Sequence, residues 1–330
     1  GSEMCIRDRA VDASTIELTD DQIAQIKEGG YTAAICLHYG GNDWSTSQQK
    51  GLEDTFGELG IEIVAVTDAN FSAETQVSNI ETVMAKKPDI LVSIPTDATA
   101  TADAYKQAAA AGIKIVFMDQ RADGLEAGKD YVSVVSADNY GNGYASGTVL
   151  GDALGGKGKV AMVYYDANFA PTNQRDEGFR DAMKNYPDIE IVTEQGFTDE
   201  SGCAEQGDAI LTQFPNIDGI YASWDVPMEG VLSAVRAAGM EGKVTLACND
   251  LGNNVAREIA SGNIAGGGAQ MPYDQGVAEA KLAALALLGE ETPSYVAVPA
   301  ETVTHENVLE AYTDVYHVET PDWLKEAYVE

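Results

Sequence analysis

A regular alternation of short apolar segments with longer amphipathic ones constrains this chain most. "YTAAICLH" begins at Tyr31, and "IEIVAVT" (61–67), "DILVSIPTD" (89–97) and "IKIVFMD" (113–119) follow. The rhythm resumes with "KVAMVYYD" (159–166), "IEIVTEQGF" (189–197), "DGIYASWD" (218–225) and "KVTLACND" (243–250). Each segment is apolar along its whole length rather than at every second position. Such runs suit strands buried on both faces, which parallel sheets covered by helices provide. Between them, residues recur at helical spacing, as in Trp44, Leu52, Phe56 and Leu59 with the polar Gln48 in the same series, or Val77, Ile80 and Met84. The expected class is α/β with doubly wound parallel sheets.

An internal similarity divides the chain. "KPDILVSIPTD…KQAAAAGIKIVFMDQ" in the first half runs Pro, strand, Asp, helix, Ala-Ala-Gly, strand, Asp, and "FPNIDGIYASWD…VRAAGMEGKVTLACND" repeats that order in the second. The separation suits a duplicated domain rather than a solenoid, and 330 residues suffice for two lobes with separate cores. In open parallel sheets, ligands bind beyond the carboxyl ends of the strands.

Polar residues collect at those ends. Asn42, Asp43 and Trp44 follow the first strand, and Asp119, Gln120 and Arg121 follow "IVFM". Asp166 follows "AMVYY", with Asn173 and Arg175 at the next helix start. "GIYAS" ends in Trp224 and Asp225, "TLAC" in Asn249 and Asp250, and "IAGGGA" in Gln270. Asp or Asn at a strand end often caps the following helix. That explains Asp97, and either Asp43 or Ser45 is expected to cap the helix after the first strand. It does not explain Trp, and two of the three tryptophans in the chain occupy such ends. Trp beside carboxylates, amides and a guanidinium suits a polyhydroxylated ligand, whose C–H face stacks on a ring while its hydroxyls take charged hydrogen bonds. A small cation is the alternative ligand.

Composition removes other classes. The balance of 20 Lys+Arg against 53 Asp+Glu gives a net charge of −33, which repels phosphate backbones and argues against nucleic acid. No apolar run has the length of a membrane span. The four cysteines show no CxxC or Cys/His ligand spacing, and His38, His305 and His317 are scattered, so neither a disulfide framework nor a metal is expected. Cys36 and Cys248 read as reduced core residues and Cys203 as a helix start. Nucleophile elbow, zinc-protease and phosphate-loop motifs are absent, and "GGND" is not a dinucleotide fingerprint. A carboxylate pair such as Asp119 with Asp250 would be the feature of a glycosidase, but no activated nucleophile accompanies it. The expectation is a non-enzyme without cofactor. His38 reads as structural, "GGKGK" (155–159) as a connector, "AGGGAQMP" (265–272) as a crossing between lobes, and Trp323 as a packing anchor.

Taken in order, "NDW…QQKG", "KPDILVSIPTD", "IVFMDQ", "VSADNYGNGYASG", "NQRDEGF", "ASWD", "ACND" and "AQMPYDQG" resemble the periplasmic sugar-binding proteins of ABC transporters, of the ribose-binding type. The resemblance runs from about Tyr31 to Thr304. It implies a type I fold of two lobes joined by a three-segment hinge that closes on the ligand. The first lobe would be 31–137 plus 271–298, the second 138–270 plus 299–330, with 1–30 an N-terminal extension. Within that extension, "GSEMCIRDR" reads as a cloning and sequencing-adapter remnant. The implied site is Asn42, Asp43 and Trp44, then Asp119, Gln120 and Arg121, then Asn173, Arg175, Trp224, Asp225, Asp250 and Gln270. The family's arginine after the fourth strand falls on Gln120, its second-lobe arginine on Asn173, an asparagine on Trp224, and an aromatic near Phe197 or Thr198. These departures imply a sugar other than ribose, a polyol or a cyclitol. The implied partner is an ABC transporter membrane permease. The implied location is periplasmic or extracellular, free or lipid-anchored, with the export signal outside this chain. Rivals sharing the fold are lactose-repressor-type regulators, for which 1–30 is too short and acidic a head, and a receptor module for a small signal.

Overall fold

The structure is a computed structural model that describes residues 10–330; the remnant assigned to residues 1–9, with Cys5, lies outside the described residues. The chain divides into two compact units. One comprises the residues up to Ala137 with Pro272–Val298, the other Asp138–Met271 with Pro299–Glu330, so the chain crosses three times.

The first unit holds a seven-stranded sheet. In chain order its strands are β1 (Val11–Asp12), β2 (Thr32–Leu37), β3 (Glu62–Asp68), β4 (Ile90–Ser93), β5 (Lys114–Met118), β6 (Ser133–Ala137) and β12 (Tyr295–Val298). They lie side by side as β1-β12-β6-β5-β4-β2-β3, with every pairing parallel. The helices are α1 (Asp20–Gly29), α2 (Asp43–Glu58), α3 (Ala73–Ala85), α4 (Ala102–Ala110) and α10 (Pro272–Leu287). Val11 and Asp12 pair with Val296 and Ala297, so the segment before Tyr31 enters this sheet. α1 opens on a reciprocal capping box between Thr19 and Gln22.

The second unit holds β7 (Lys157–Tyr165), β8 (Asp188–Phe197), β9 (Gly219–Ala222), β10 (Thr245–Cys248), β11 (Gly266–Ala269) and β13 (Glu301–Thr304). Their order is β13-β11-β10-β9-β7-β8, and β13 alone runs antiparallel to its neighbour. The helices are α5 (Asn139–Ala153), α6 (Ala170–Met183), α7 (Ala204–Gln213), α8 (Asp225–Ala237), α9 (Asn253–Ala260), α11 (Val308–Tyr316) and α12 (Asp322–Ala327).

Strand order reverses between β2 and β4 in one unit and between β7 and β9 in the other. The repeated blocks in the sequence are β4-α4-β5 and β9-α8-β10, which hold equivalent places in the two sheets. Lys157 already belongs to β7, so part of the "GGKGK" stretch that reads as a connector is strand, while Gly266–Ala269 form β11, the glycine-softened strand before Gln270.

Both units use glycine to bring helices together. A Cβ on Gly51 of α2 would lie 2.2 Å from the Tyr273 carbonyl oxygen, and one on Gly276 of α10 would lie 2.3 Å from that of Gln48. In the second unit, Gly143 of α5 and Gly178 of α6 meet the opposite backbone in the same way. These contacts pin α2 against α10 and α5 against α6, setting the first turns that border the strand ends. Cys36 and Cys248 lie buried in their cores, and Cys203 immediately precedes α7 without a side-chain capping bond. Trp323 packs edge-on to Tyr312 under the Arg257 guanidinium, as a packing anchor does.

Candidate functional site

The carboxyl ends of β5 and β10 are built alike. Asp119 and Asp250 both adopt left-handed backbone, at φ 62° and 74°. Each is held there by its own N–H, which donates to the neighbouring strand: Asp119 to Val135 O at 2.8 Å, Asp250 to Gly268 O at 2.9 Å. Each carboxylate also takes a glutamine amide. Gln275 Nε2 donates to Asp119 Oδ1 at 2.8 Å, and Gln270 Nε2 donates to Asp250 Oδ1. A non-glycine residue in left-handed conformation carries about 1–3 kcal/mol of strain, and such residues cluster at ligand sites. The two glutamines lie within six residues of each other, on either side of the Met271/Pro272 crossing.

In the first unit, the reversal point after β2 carries an aromatic group. Trp44, in the first turn of α2, is 9% exposed and meets the His38 ring edge-on at 5.7 Å. His38 also packs on Tyr39 and on Phe71, and Tyr39 stacks on Phe71 at 4.2 Å. Burial pushes the His38 imidazole down to about 3, so it is neutral and structural, as its place in the sequence suggests. Packing on His38 thus accounts for part of what capping could not explain in Trp44. The cap of α2 is Asn42, whose side chain accepts from Ser45 N at 2.9 Å; neither Asp43 nor Ser45 supplies it. Asn42 also donates to the Tyr39 hydroxyl. Asn42 holds the extended conformation a cap needs, whereas Asp43 already opens the helix. Asp97 closes a turn by accepting from Thr99 N and Ala100 N rather than capping α4.

Gln120 and Arg121, which follow Asp119, reach backbone carbonyls. Gln120 Nε2 donates to Pro95 O at 3.0 Å, and Arg121 Nη1 donates to the Ala122 and Leu125 carbonyls of the loop that follows. The arginine therefore organises the β5–β6 connection.

In the second unit, Arg175 of α6 is 5% exposed. Its Nε donates to Asn139 Oδ1 at 3.0 Å, its Nη1 donates to Ser223 O at 3.3 Å, and Nη1 stands 3.8 Å from Asp250 Oδ2. Burial raises the Asp250 carboxyl, opposed by Arg175 and Gln270. Below them Asp176 accepts from Ser223 Oγ at 2.7 Å and Tyr221 OH at 3.2 Å, and Asn249 bonds Tyr221 and Ser146. Asn173 stands exposed on the first turn of α6. Trp224 is 6% exposed; its indole N–H donates to Glu200 Oε2 at 2.8 Å, and Tyr165 and Phe197 pack on its ring. Asp225 Oδ1 accepts from Val226 N within α8, and its Oδ2 accepts from Gly252 N, tying α8 to the loop after β10.

The strand ends thus carry Asn42, Asp43, Trp44 and Asp119 in one unit, and Asn173, Trp224 and the joined group of Arg175, Asp250 and Gln270 in the other. Gln120, Arg121 and Asp225, also at strand ends, make hydrogen bonds to backbone groups. Sequence reading passed over Tyr39, Phe71, Tyr165 and Glu200. Tyr39 lay in plain view inside "HYGGNDW", whereas Phe71 is brought there by a left-handed Asn70-Phe71 turn that no pattern announces. Among the described residues no cluster of His, Cys, Asp and Glu could hold a metal, and no helix is long and apolar enough to cross a membrane.

Comparison with known proteins bears on this geometry. Residues 33–291 match the family model described as periplasmic binding protein domain. The chain is similar to the D-ribose/D-allose-binding protein of Pseudomonas aeruginosa, at 29% identity over 79% of this chain and 83% of that one. It is also similar to the ribose import binding protein of Salmonella typhimurium, at 24% identity over 82% and 90%. Among solved structures, an ABC transporter periplasmic solute-binding protein from Actinobacillus succinogenes with bound D-allose superposes with a TM-score of 0.78. It is 29% identical, and the match covers 84% of this chain and 99% of that one. One from Agrobacterium vitis bound with α-D-tagatopyranose gives 0.79 at 26% identity, over 88% and 100%.

Proposed function

The chain belongs to the periplasmic binding protein family, and from that premise we propose that it captures a monosaccharide or related polyol and delivers it to the membrane permease of an ABC importer. It binds and does not catalyse. The observation that carries this reading is the matched pair of left-handed aspartates, each clamped by a glutamine N–H at a strand end. A carboxylate fixed in that way presents its remaining lone pairs in one direction, which is what a hydroxyl pair on a sugar ring requires. Arg175 donates beside Asp250, Asn42 and Asn173 orient the ring, and Trp44 and Trp224 offer apolar faces. Because the Trp224 indole N–H is bonded to Glu200, its part is contact rather than hydrogen bonding.

Binding shifts an equilibrium towards the form that holds the sugar. The bound form is what the permease accepts, and the proposed location is the periplasm or the outer cell surface. Calorimetric titration against D-ribose, D-allose, D-tagatose and myo-inositol tests this directly. One of them is expected to bind saturably at one site. Asp119→Ala and Asp250→Ala are each expected to weaken it ~30-fold or more, from loss of a charged hydrogen bond of about 2–3 kcal/mol. Unchanged affinity in both variants would sink the assignment.

A further inference from the structure

A line of buried polar side chains runs behind Asp119 and takes no part in the strand-end surface. Gln48 of α2, Gln275 and Glu279 of α10 are all 0% exposed. Gln48 Nε2 donates to Glu279 Oε2 at 2.6 Å. One turn earlier on α10, Gln275 Nε2 donates both to Asp119 Oδ1 and to Val135 O. Three oxygens in this line have no hydrogen-bond partner: Gln48 Oε1, Gln275 Oε1 and Glu279 Oε1. A buried polar atom left so costs about 1–3 kcal/mol, and apolar residues here would have packed without that cost.

Gln275 and Glu279 are four residues apart and so neighbours on one helix face. Their orphan atoms are both acceptors and cannot bond each other. A single proton on Glu279 Oε1 makes one of them a donor and satisfies both. It also decides which way the Gln275 amide faces. With its carbonyl taken by Glu279, Gln275 must present N–H to Asp119; rotated by half a turn, it would point a carbonyl at the carboxylate.

We propose that Glu279 is a positioning residue that keeps its proton and donates it to Gln275 Oε1, thereby fixing Asp119 for the ligand. Burial drives the Glu279 carboxyl well above the usual carboxylate range, and the Asp119 charge adds to that. Glu279 meets the Gln48 amide from α2 and feels the Asp119 charge from β5, while the Val135 carbonyl of β6 is taken by Gln275 and Asp119. The nearby charges on these helices are engaged elsewhere: Lys50 pairs with Asp54, which also accepts from Tyr273, and Lys281 pairs with Glu17. The proposal rests on the reading of Asp119 as a ligand carboxylate.

Glu279→Gln copies the protonated acid, with N–H towards Gln275 and carbonyl towards Gln48. Glu279→Leu and Gln275→Leu break the line. With D-allose as probe, E279Q is expected to bind within ~2-fold of the parent, and E279L and Q275L to bind ~10-fold more weakly, the loss of one hydrogen bond of about 1.4 kcal/mol. Parent affinity is expected to fall as alkaline pH strips the Glu279 proton, and E279Q to remove that decline. An infrared difference spectrum, parent minus E279Q at neutral pH, needs no ligand and is expected to show the carbonyl band of a protonated carboxylic acid. Absence of that band overturns the proposal. So does parent-like binding by Q275L and E279L when Asp119→Ala has lost affinity. Parent-like binding by Asp119→Ala removes instead the ligand reading of Asp119, and the positioning role with it, while the band still reports the proton.

Discussion

Asp176 sets burial against charge inside the second unit. It is 2% exposed, and burial pushes its carboxyl up to about 6 although Ser223, Tyr221 and two arginines favour the charged form. An unfolded aspartate titrates near 4, so the folded state holds the proton more tightly. The stability that goes with the proton is complete below about pH 4 and is lost as pH rises through about 6, amounting to up to ~3 kcal/mol for a two-unit shift. Asp176→Asn keeps an acceptor for both hydroxyls and removes the charge. It is therefore expected to melt several degrees higher than the parent at pH 8 and to lose most of the difference at pH 4. A variant that melts lower at both pH values would show the carboxylate to be held for its charge. At this scale the sequence discloses position better than purpose. Asp119 and Asp250 were legible because a carboxylate ending an apolar strand stands out. Their left-handed backbone was not, since neighbouring strands impose it, and Gln48, Gln275 and Glu279 read as ordinary polar helix positions. Arg121 and Asp225 were placed correctly at strand ends but turn towards backbone groups that only the folded loops supply.

Helices α2 and α10 show how an element can be fixed by what it lacks. The contact of Gly276 is with backbone atoms, the Gln48 carbonyl at 2.3 Å and the Leu52 nitrogen at 2.9 Å, and neither can rotate aside. Gly276→Ala must push the helices apart and is expected to cost about 1–3 kcal/mol, as overpacking does. Gly57→Ala, also in α2, meets nothing within 4 Å and is expected to stabilise by up to ~1 kcal/mol through helix propensity. Urea denaturation of the two variants distinguishes them; similar behaviour would mean that helix separation does not govern stability here. Central strands such as β4, β5, β9 and β10 were legible from apolar content alone. Others were not: β6 is "SVVSA", with two of its five residues serines buried against the sheet, and β12 and β13 flank Pro299. β1 is two residues long and owes its place to β12.

At the scale of the whole chain, the internal repeat made the two-fold duplication readable, because equivalent blocks keep the same order of strand, helix and aspartate. The interchange of elements was harder to read. α10 follows β11 of the second unit but packs on α2, and α5 follows β6 of the first unit but packs on α6. Each unit thus completes its core with a helix supplied across a crossing, and each has its own sheet and hydrophobic cluster. Two cores in one chain can unfold in separate steps, and a ligand adds its binding energy to each unit that it touches. Calorimetric scans are therefore expected to show a broad or double transition for the unliganded protein. With saturating sugar the transition of each unit that binds it is expected at higher temperature. A ligand held by one unit alone would move one transition and leave the other in place. That outcome would confine binding to the strand ends of a single sheet, and Asp119→Ala and Asp250→Ala would show which sheet it is.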